Sequence, residues 1–233
     1  MLHSSVRKTA DLLESQKQRM LELMEVCYQG VDVKRFAEDL AEKEGCILLR
    51  DDGREIQGFS TFVILHESYE GRQVAVLFSG DTVVQQNHWG SNVLFVAFGH
   101  LLASLMRDSK GQECYWFLLS QGIRTYLLLP LGFKEFTPRW DGAASEFETG
   151  LLRHLARKRY GDAYDERRGV VSHQNYRLRS QFALIPEHRR DNPHVRYFLE
   201  RNPGYVRGEE LACLCRISAE NFCRRTAALV SQA

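Results

Sequence analysis

FSGDTVVQQNHWGSN, Phe78–Asn92, is the stretch that decides the fold. Its first half continues an apolar, β-branched run, Val74–Val84, which reads as a strand. Immediately after it, Val93, Leu94, Ala97, Leu101 and Leu105 recur as the stripe of a helix buried against a sheet, with His100 expected as a core histidine. A strand that feeds a glycine-containing turn and then a helix leaves backbone N–H groups unpaired at the helix start, where the dipole favours an anion. Gly90 allows a phosphate close to the backbone, and Ser91 and Asn92 add donors. An ordinary capped helix start has the same look, so the flanking segments must decide.

Working upstream, Ile56–Leu65 is rich in β-branched and aromatic residues and is separated from Val74–Val84 by the polar loop His66–Arg72. Cys46–Arg50 is a shorter apolar run ahead of the turn chemistry of Asp51-Asp52-Gly53. These three runs predict an antiparallel meander. Before them, helical spacing predicts one helix over Ser5–Tyr28 and a second over Val33–Lys43. Downstream, Cys114–Leu119 reads as a buried strand, Gly122–Leu129 as a short helix and Phe133–Phe136 as the start of another strand. A meander followed by a crossover helix sets the class as α/β (α+β), a mixed central sheet flanked by helices.

Three regions follow: a helix packed on the core over 1–30, the core over 31–140, and a C-terminal extension over 141–233. In the extension, Glu146–Lys158 reads as a helix, Tyr176–Ile185 as extended chain, Pro193–Arg201 as a helix capped by Asn192, Glu210–Ile217 as a strand, and a final helix starts at Ser218.

Composition removes several function classes. The net charge of +1 gives no bulk attraction to nucleic acid or to an anionic membrane, so neither is expected as a partner. Apolar runs are far shorter than the ~20 residues of a membrane-spanning helix, and the first residues lack the apolar core of a signal peptide, so a cytoplasmic protein is expected. Cys27, Cys46, Cys114, Cys213, Cys215 and Cys223 have no histidine at finger-like spacing, and no metal is expected. P-loop, dinucleotide, zinc-protease and nucleophile-elbow motifs are all absent. Between Leu151 and Arg190, ten Lys/Arg stand against four Asp/Glu, which suits either a solvated surface or a groove for an anionic ligand or carrier.

The strand–turn–helix of Phe78–Leu105 resembles the pyrophosphate motif R/Q-x-x-G-x-G/A of the GNAT N-acetyltransferases. Aligned on Gly90, Asn87 stands at the Arg/Gln position and Asn92 at the last small position. The later stretch QGIRTYLLLPLGFKEF, Gln121–Phe136, is similar to the same family's N-x-x-A-x-x-L-Y-x-x-x-G-F-x-x.

That resemblance implies a GNAT-like acyltransferase core, with a coenzyme A thioester (acetyl-CoA or a longer acyl-CoA) as co-substrate. An acyl carrier protein is an alternative donor, and an amine of a small molecule or protein is the acceptor. It implies a V-shaped cleft between Val74–Val84 and Cys114–Leu119, with cofactor contacts from Thr82, Val83, Val84, Asn87, His88, Trp89, Gly90, Ser91, Asn92 and Gln121. Asp81, at the strand's cleft end, is the expected base, and amides near Asp81–Val83 are the expected oxyanion donors. Leu128 replaces the family's thiolate-protonating tyrosine, Tyr126 is turned away from that position, and Tyr115 is the substitute acid. No counterpart of the family's first strand is evident. The departures at Asn87, Asn92 and Leu128 leave room for a non-catalytic module on the same fold, or for other thioester chemistry such as decarboxylation.

Overall fold

A computed structural model describes residues 1–142, 144–172 and 176–231. The chain opens with an edge strand, β1 (His3–Lys8), and then α1 (Glu14–Cys27), the two-residue β2 (Tyr28–Gln29) and α2 (Val33–Ala41). The single helix expected over Ser5–Tyr28 is therefore corrected, and so is the missing first strand. β1 escapes a pattern search because five of its six residues are exposed. Only backbone pairing to the next strand, from His3↔Arg50 to Lys8↔Gly45, defines it.

The expected meander is present: β3 (Gly45–Arg50), β4 (Ile56–Tyr69) and β5 (Arg72–Val84) pair antiparallel in sequence. The polar loop expected over His66–Arg72 contracts to the two-residue turn Glu70-Gly71, both at positive φ, which matches the twist of a tight hairpin. Helix α3 (Val93–Asp108) then crosses over to β6 (Glu113–Ser120), which lies parallel to β5. His100 is exposed on α3, not in the core as expected.

Past β6 the chain forms α4 (Ile123–Tyr126) and α5 (Leu128–Gly132). The strand expected at Phe133–Phe136 is reduced to the isolated bridge Phe133↔Phe222. Helix α6 (Glu146–Tyr160) starts on a capping box, Ser145 Oγ accepting from the Glu148 amide at 3.1 Å while the Ser145 amide donates to Glu148 Oε2 at 3.4 Å. Short strands β7 (Tyr164–Asp165), β8 (Val170–Val171) and β9 (Arg177–Leu178) follow, then α7 (Ser180–Ala183). The extended chain expected over Tyr176–Ile185 is thus strand only at β9. Helix α8 (Pro193–Arg201) is capped by Asn192 as expected, β10 (Glu210–Ile217) follows, and α9 (Arg224–Val230) begins six residues later than Ser218.

The main sheet runs β1-β3-β4-β5-β6-β10-β8-β7. β10, from the region set apart by sequence as an extension, lies antiparallel against β6 from Leu211↔Ser120 to Ile217↔Cys114. One face of the sheet packs against α3, α4 and α8 through Leu77, Phe98, Leu102, Trp116, Tyr126 and Phe198. The other is covered by α1 and α2 at one end and by α6 at the other. Strand order and the parallel crossover together make this the mixed α/β sheet flanked by helices that the sequence led us to expect.

One irregularity positions everything that follows. Ser79 faces Phe62 and Thr82 faces Ser60, so Gly80 and Asp81 together oppose the single residue Thr61. This bulge bends β5. Its pairing with β6 ends at Ser79↔Leu118, although β5 continues to Val84 and β6 to Ser120. Beyond that point β5 stays with β4 and β6 stays with β10, and the two strands part.

A Cβ on Gly80 would stand 2.6 Å from Thr61 Oγ1 and 2.7 Å from Lys43 Cε, both in buried residues. Gly80→Ala is therefore expected to lower unfolding stability by about 1–3 kcal/mol through overpacking. Chemical denaturation checks it, and an unchanged midpoint would contradict the close packing at the bulge.

Candidate active site

A cavity of about 530 Å³ opens where the strands part, lined by Gly80, Asp81, Thr82, Leu119, Gln121 and Tyr176 among others. Its walls come from β5, the ends of β6 and β2, helices α2 and α6, the start of β10 and the residue before β9. The backbone inside the parting follows from register. Gln85 donates its amide to Gln57 O at 2.9 Å, toward β4. Strand alternation then turns the backbone groups of Thr82 and Val84 the other way, into the parting.

Asp81 sits on the rim, half-buried. Desolvation and the nearby negative charge of Asp39 raise its pKa to about 6, against the opposing pull of Lys43 and a hydrogen bond from Tyr176. Lys43 is itself buried and pairs with Asp39 Oδ2 at 2.6 Å. Tyr176 Oη donates to Asp81 Oδ1 at 2.9 Å, and its ring meets Tyr28 edge-on at 5.1 Å. Across the cavity, the Arg159 guanidinium lies 4.3 Å over the Phe78 ring and bonds Glu42 at 3.4 Å.

The segment Tyr176–Ala183 spans the strand ends. β9 pairs with β2 (Tyr28↔Leu178, Gln29↔Arg177). Gln121 Oε1 accepts from the Leu178 amide at 2.7 Å, and Gln121 Nε2 donates to Tyr176 O at 3.5 Å. Arg124 donates to Phe182 O at 3.1 Å and lies 3.5 Å over the Trp89 ring, and Phe182 meets Trp89 edge-on at 5.6 Å.

The turn after β5 is partly self-satisfied. The amides of His88, Trp89 and Ser91 bond back to Gln85, Gln86 and His88, and Val93 N–H takes Ser91 Oγ at 3.3 Å. The amides of Gly90, Asn92, Leu94 and Phe95 find no backbone acceptor among the described residues. Gly90 is exposed at φ 91°, with no atom within 4 Å of where a Cβ would stand, so this part of the turn faces open space. Asn87, Ser91 and Asn92 are exposed and His88 is half-buried.

Several expected cofactor contacts thus have other engagements. Val83 is buried under α1 and α2. The Val84 carbonyl accepts the Trp89 indole N–H at 3.0 Å, which folds Trp89 back onto the strand end. Thr82 Oγ1 is shared with Ser60 at 2.7 Å. Gln121 clasps the Tyr176–Leu178 backbone. Tyr115 is not brought to the cavity: it faces Val76, three rungs before the last β5–β6 pair, and is buried beneath α6 with its pKa pushed up to about 12, chiefly by desolvation. Tyr126 is turned away as expected, its phenol donating to Pro138 O at 3.0 Å. Sequence reasoning missed Asp39, Lys43 and Tyr176. The first two carry a weak signal, an i, i+4 pair at the end of α2; Tyr176 carries none. Much of the basic excess over 151–190 is tied up, with Arg153 and Arg157 on Glu166, Lys158 on Glu67 and Arg168 on Glu209. Among the described residues, no group of three His, Cys, Asp or Glu could hold a metal ion, and no helix is long and apolar enough to cross a membrane.

No protein-family model and no curated protein matches the chain. Solved structures do. A conserved protein from Enterococcus faecalis, described as a probable N-acyltransferase, is 13% identical over 55% of this chain and 31% of its own, with a TM-score of 0.43. A GNAT-family N-acetyltransferase from Escherichia coli, solved in complex with CoA, is 14% identical over 57% of this chain and 70% of its own, at 0.40. A Trypanosoma brucei acetyltransferase is 21% identical over 58% of this chain and 94% of its own, at 0.39. Such low values leave the chemistry to this chain's own residues.

The raised pKa of Asp81 has a thermodynamic consequence. The folded state holds this proton more tightly than the unfolded chain, so stability is lost as pH rises through about 6. Asp81→Asn is expected to be more stable than the parent above pH 6, by on the order of 1–3 kcal/mol, with the gap closing below the ordinary carboxylate range. Urea unfolding of both proteins across that range checks it; a gap independent of pH would contradict the raised pKa.

Proposed function

We propose that the chain is a GNAT-type N-acyltransferase, moving an acyl group from a coenzyme A thioester to an amine. The observation that carries this reading is the parting of β5 from β6 at the Gly80–Asp81 bulge, with a carboxylate of pKa about 6 on its rim. An extended, amide-rich thiol arm fits between two strand ends that pair with each other no further than Ser79↔Leu118, as a strand fits a sheet edge, with the Val84 carbonyl already taken by the Trp89 indole. The open amides of Gly90, Asn92, Leu94 and Phe95 at the start of α3 suit the pyrophosphate at the other end of such a cofactor.

In this reading the thioester carbonyl lies in the parting and the acceptor enters the cavity from the α2 and α6 side. Only a neutral amine attacks, and Asp81, ionised at neutral pH, accepts the proton that the attacking nitrogen must lose. The Thr82 amide points into the parting and can stabilise the oxyanion of the tetrahedral adduct. The cavity's size favours a small-molecule amine as acceptor. The ion-paired state of the basic residues over 151–190 favours coenzyme A, acetyl or longer, over an acidic carrier protein as donor.

One specific feature favours the rival reading, a non-catalytic binding module: Leu128 offers no proton to a leaving thiolate. Titration calorimetry with acetyl-CoA is expected to give saturable binding. Asp81→Asn is expected to lower turnover by about 10²–10⁴-fold with cofactor affinity unchanged. Failure to bind any coenzyme A species would remove the acyltransferase reading, and binding with a fully active Asp81→Asn would reassign the base.

A further inference from the structure

Amide formation from a thioester moves one proton from nitrogen to sulfur, so the site needs a group that accepts it and a group that delivers it. Asp81 is bonded to such a deliverer. Among the described residues, Tyr176 is the hydroxyl group hydrogen-bonded to Asp81, at 2.9 Å, and both residues line the cavity at the parting. The position is built. The Tyr176 ring rests edge-on against Tyr28, its carbonyl is held by Gln121, and the next two residues pair with β2. Some nearby hydroxyls are engaged elsewhere, Thr82 with Ser60, Ser79 with the Trp116 indole at 2.9 Å and Tyr126 with Pro138, while Tyr28, Thr125 and Tyr160 also line the cavity; the hydrogen bond to Asp81 is what sets Tyr176 apart.

Resting on the acyl-transfer reading above, we infer that Asp81 and Tyr176 form a proton relay from the attacking amine to the leaving thiolate. After the amine adds to the thioester carbon, Asp81 takes the N–H proton. The C–S bond then breaks with its electron pair on sulfur, which takes the phenol proton of Tyr176. Asp81 returns its proton to the phenolate oxygen across the existing hydrogen bond. One proton has moved from nitrogen to sulfur, and both side chains end as they began. The order of events is self-consistent. Burial and then the Asp81 charge hold the phenol pKa well above its usual value, and the second influence disappears once Asp81 is protonated. The phenol thus becomes a better acid at the moment the thiolate needs one.

The test compares Tyr176→Phe with the parent on two donors of the same acyl group, acetyl-CoA and the aryl thioester phenyl thioacetate. Ethanolamine, glycinamide and spermidine serve as primary-amine probes. Phenylalanine keeps the ring against Tyr28, and an unchanged melting midpoint confirms the fold. With acetyl-CoA, kcat is expected to fall by about 10²-fold or more with little change in KM. With the aryl thioester, whose thiolate leaves without a proton, the loss is expected to shrink to less than about tenfold. An equal loss on both donors would make Tyr176 a merely structural prop of Asp81, and no loss on either would exclude it; each overturns the relay while leaving acyl transfer intact. A parent protein that binds acetyl-CoA but acylates none of the probes would overturn the relay together with the transferase reading.

Discussion

The site depends on one backbone constraint, the place where two residues of β5 face one residue of β4. A sheet whose strands pair along their whole length offers a ligand nothing in its interior, because each amide and carbonyl is already used. The extra residue at Gly80–Asp81 bends β5 away from β6 after Ser79↔Leu118, while β6 is held straight by β10. The result is a pair of inner strand edges that no longer pair with each other, reached from a polar cavity. Gly80 makes the bulge possible by leaving space for Thr61 and Lys43, and Asp81 is carried to the rim as the next residue. Shape and chemistry therefore share one cause.

Residues far apart in sequence complete that rim. α2 brings Asp39 and the turn after it Lys43, the end of α1 leads into Tyr28, and the segment after α6 brings Tyr176. The Asp39 charge and burial raise the Asp81 pKa, while Lys43 and the Tyr176 hydrogen bond limit the rise, leaving a value at which the carboxylate is ionised at neutral pH yet still basic. A lone buried carboxylate would be neutral and inert as a base; a fully solvated one would be too weak. The region beyond residue 140 is part of this balance, through Tyr176 and through β10.

How much of this the sequence disclosed follows from what each feature is made of. β3 to β6 and α3 are built from apolar runs of clear period and were legible, as were the parting strands and the Asp81 position, through the likeness of two motifs. β1 was hidden because an exposed edge strand is defined by backbone pairing, not by a buried face. Phe133–Phe136 has strand-like residues but reaches only one bridge, since Phe133 and Phe136 pack into the core around Tyr126 and Trp116 instead. Tyr115 looked close to the cleft in sequence, yet register sets it beneath α6. Gln121 and Trp89 matched motif positions while spending their polar groups on Tyr176–Leu178 and on Val84. Tyr176 was illegible because a contact across 95 residues leaves no local pattern.

The central claim is that the free edges past Ser79 and Leu118 receive the arm of an acyl thioester. Backbone hydrogen–deuterium exchange with and without acetyl-CoA tests it most directly. The expected result is protection confined to the amides of Thr82 and Val84 and to those of Gly90, Asn92, Leu94 and Phe95. Unaltered exchange in both stretches at saturating acetyl-CoA, or protection only at the far end of the sheet around β1, would contradict it.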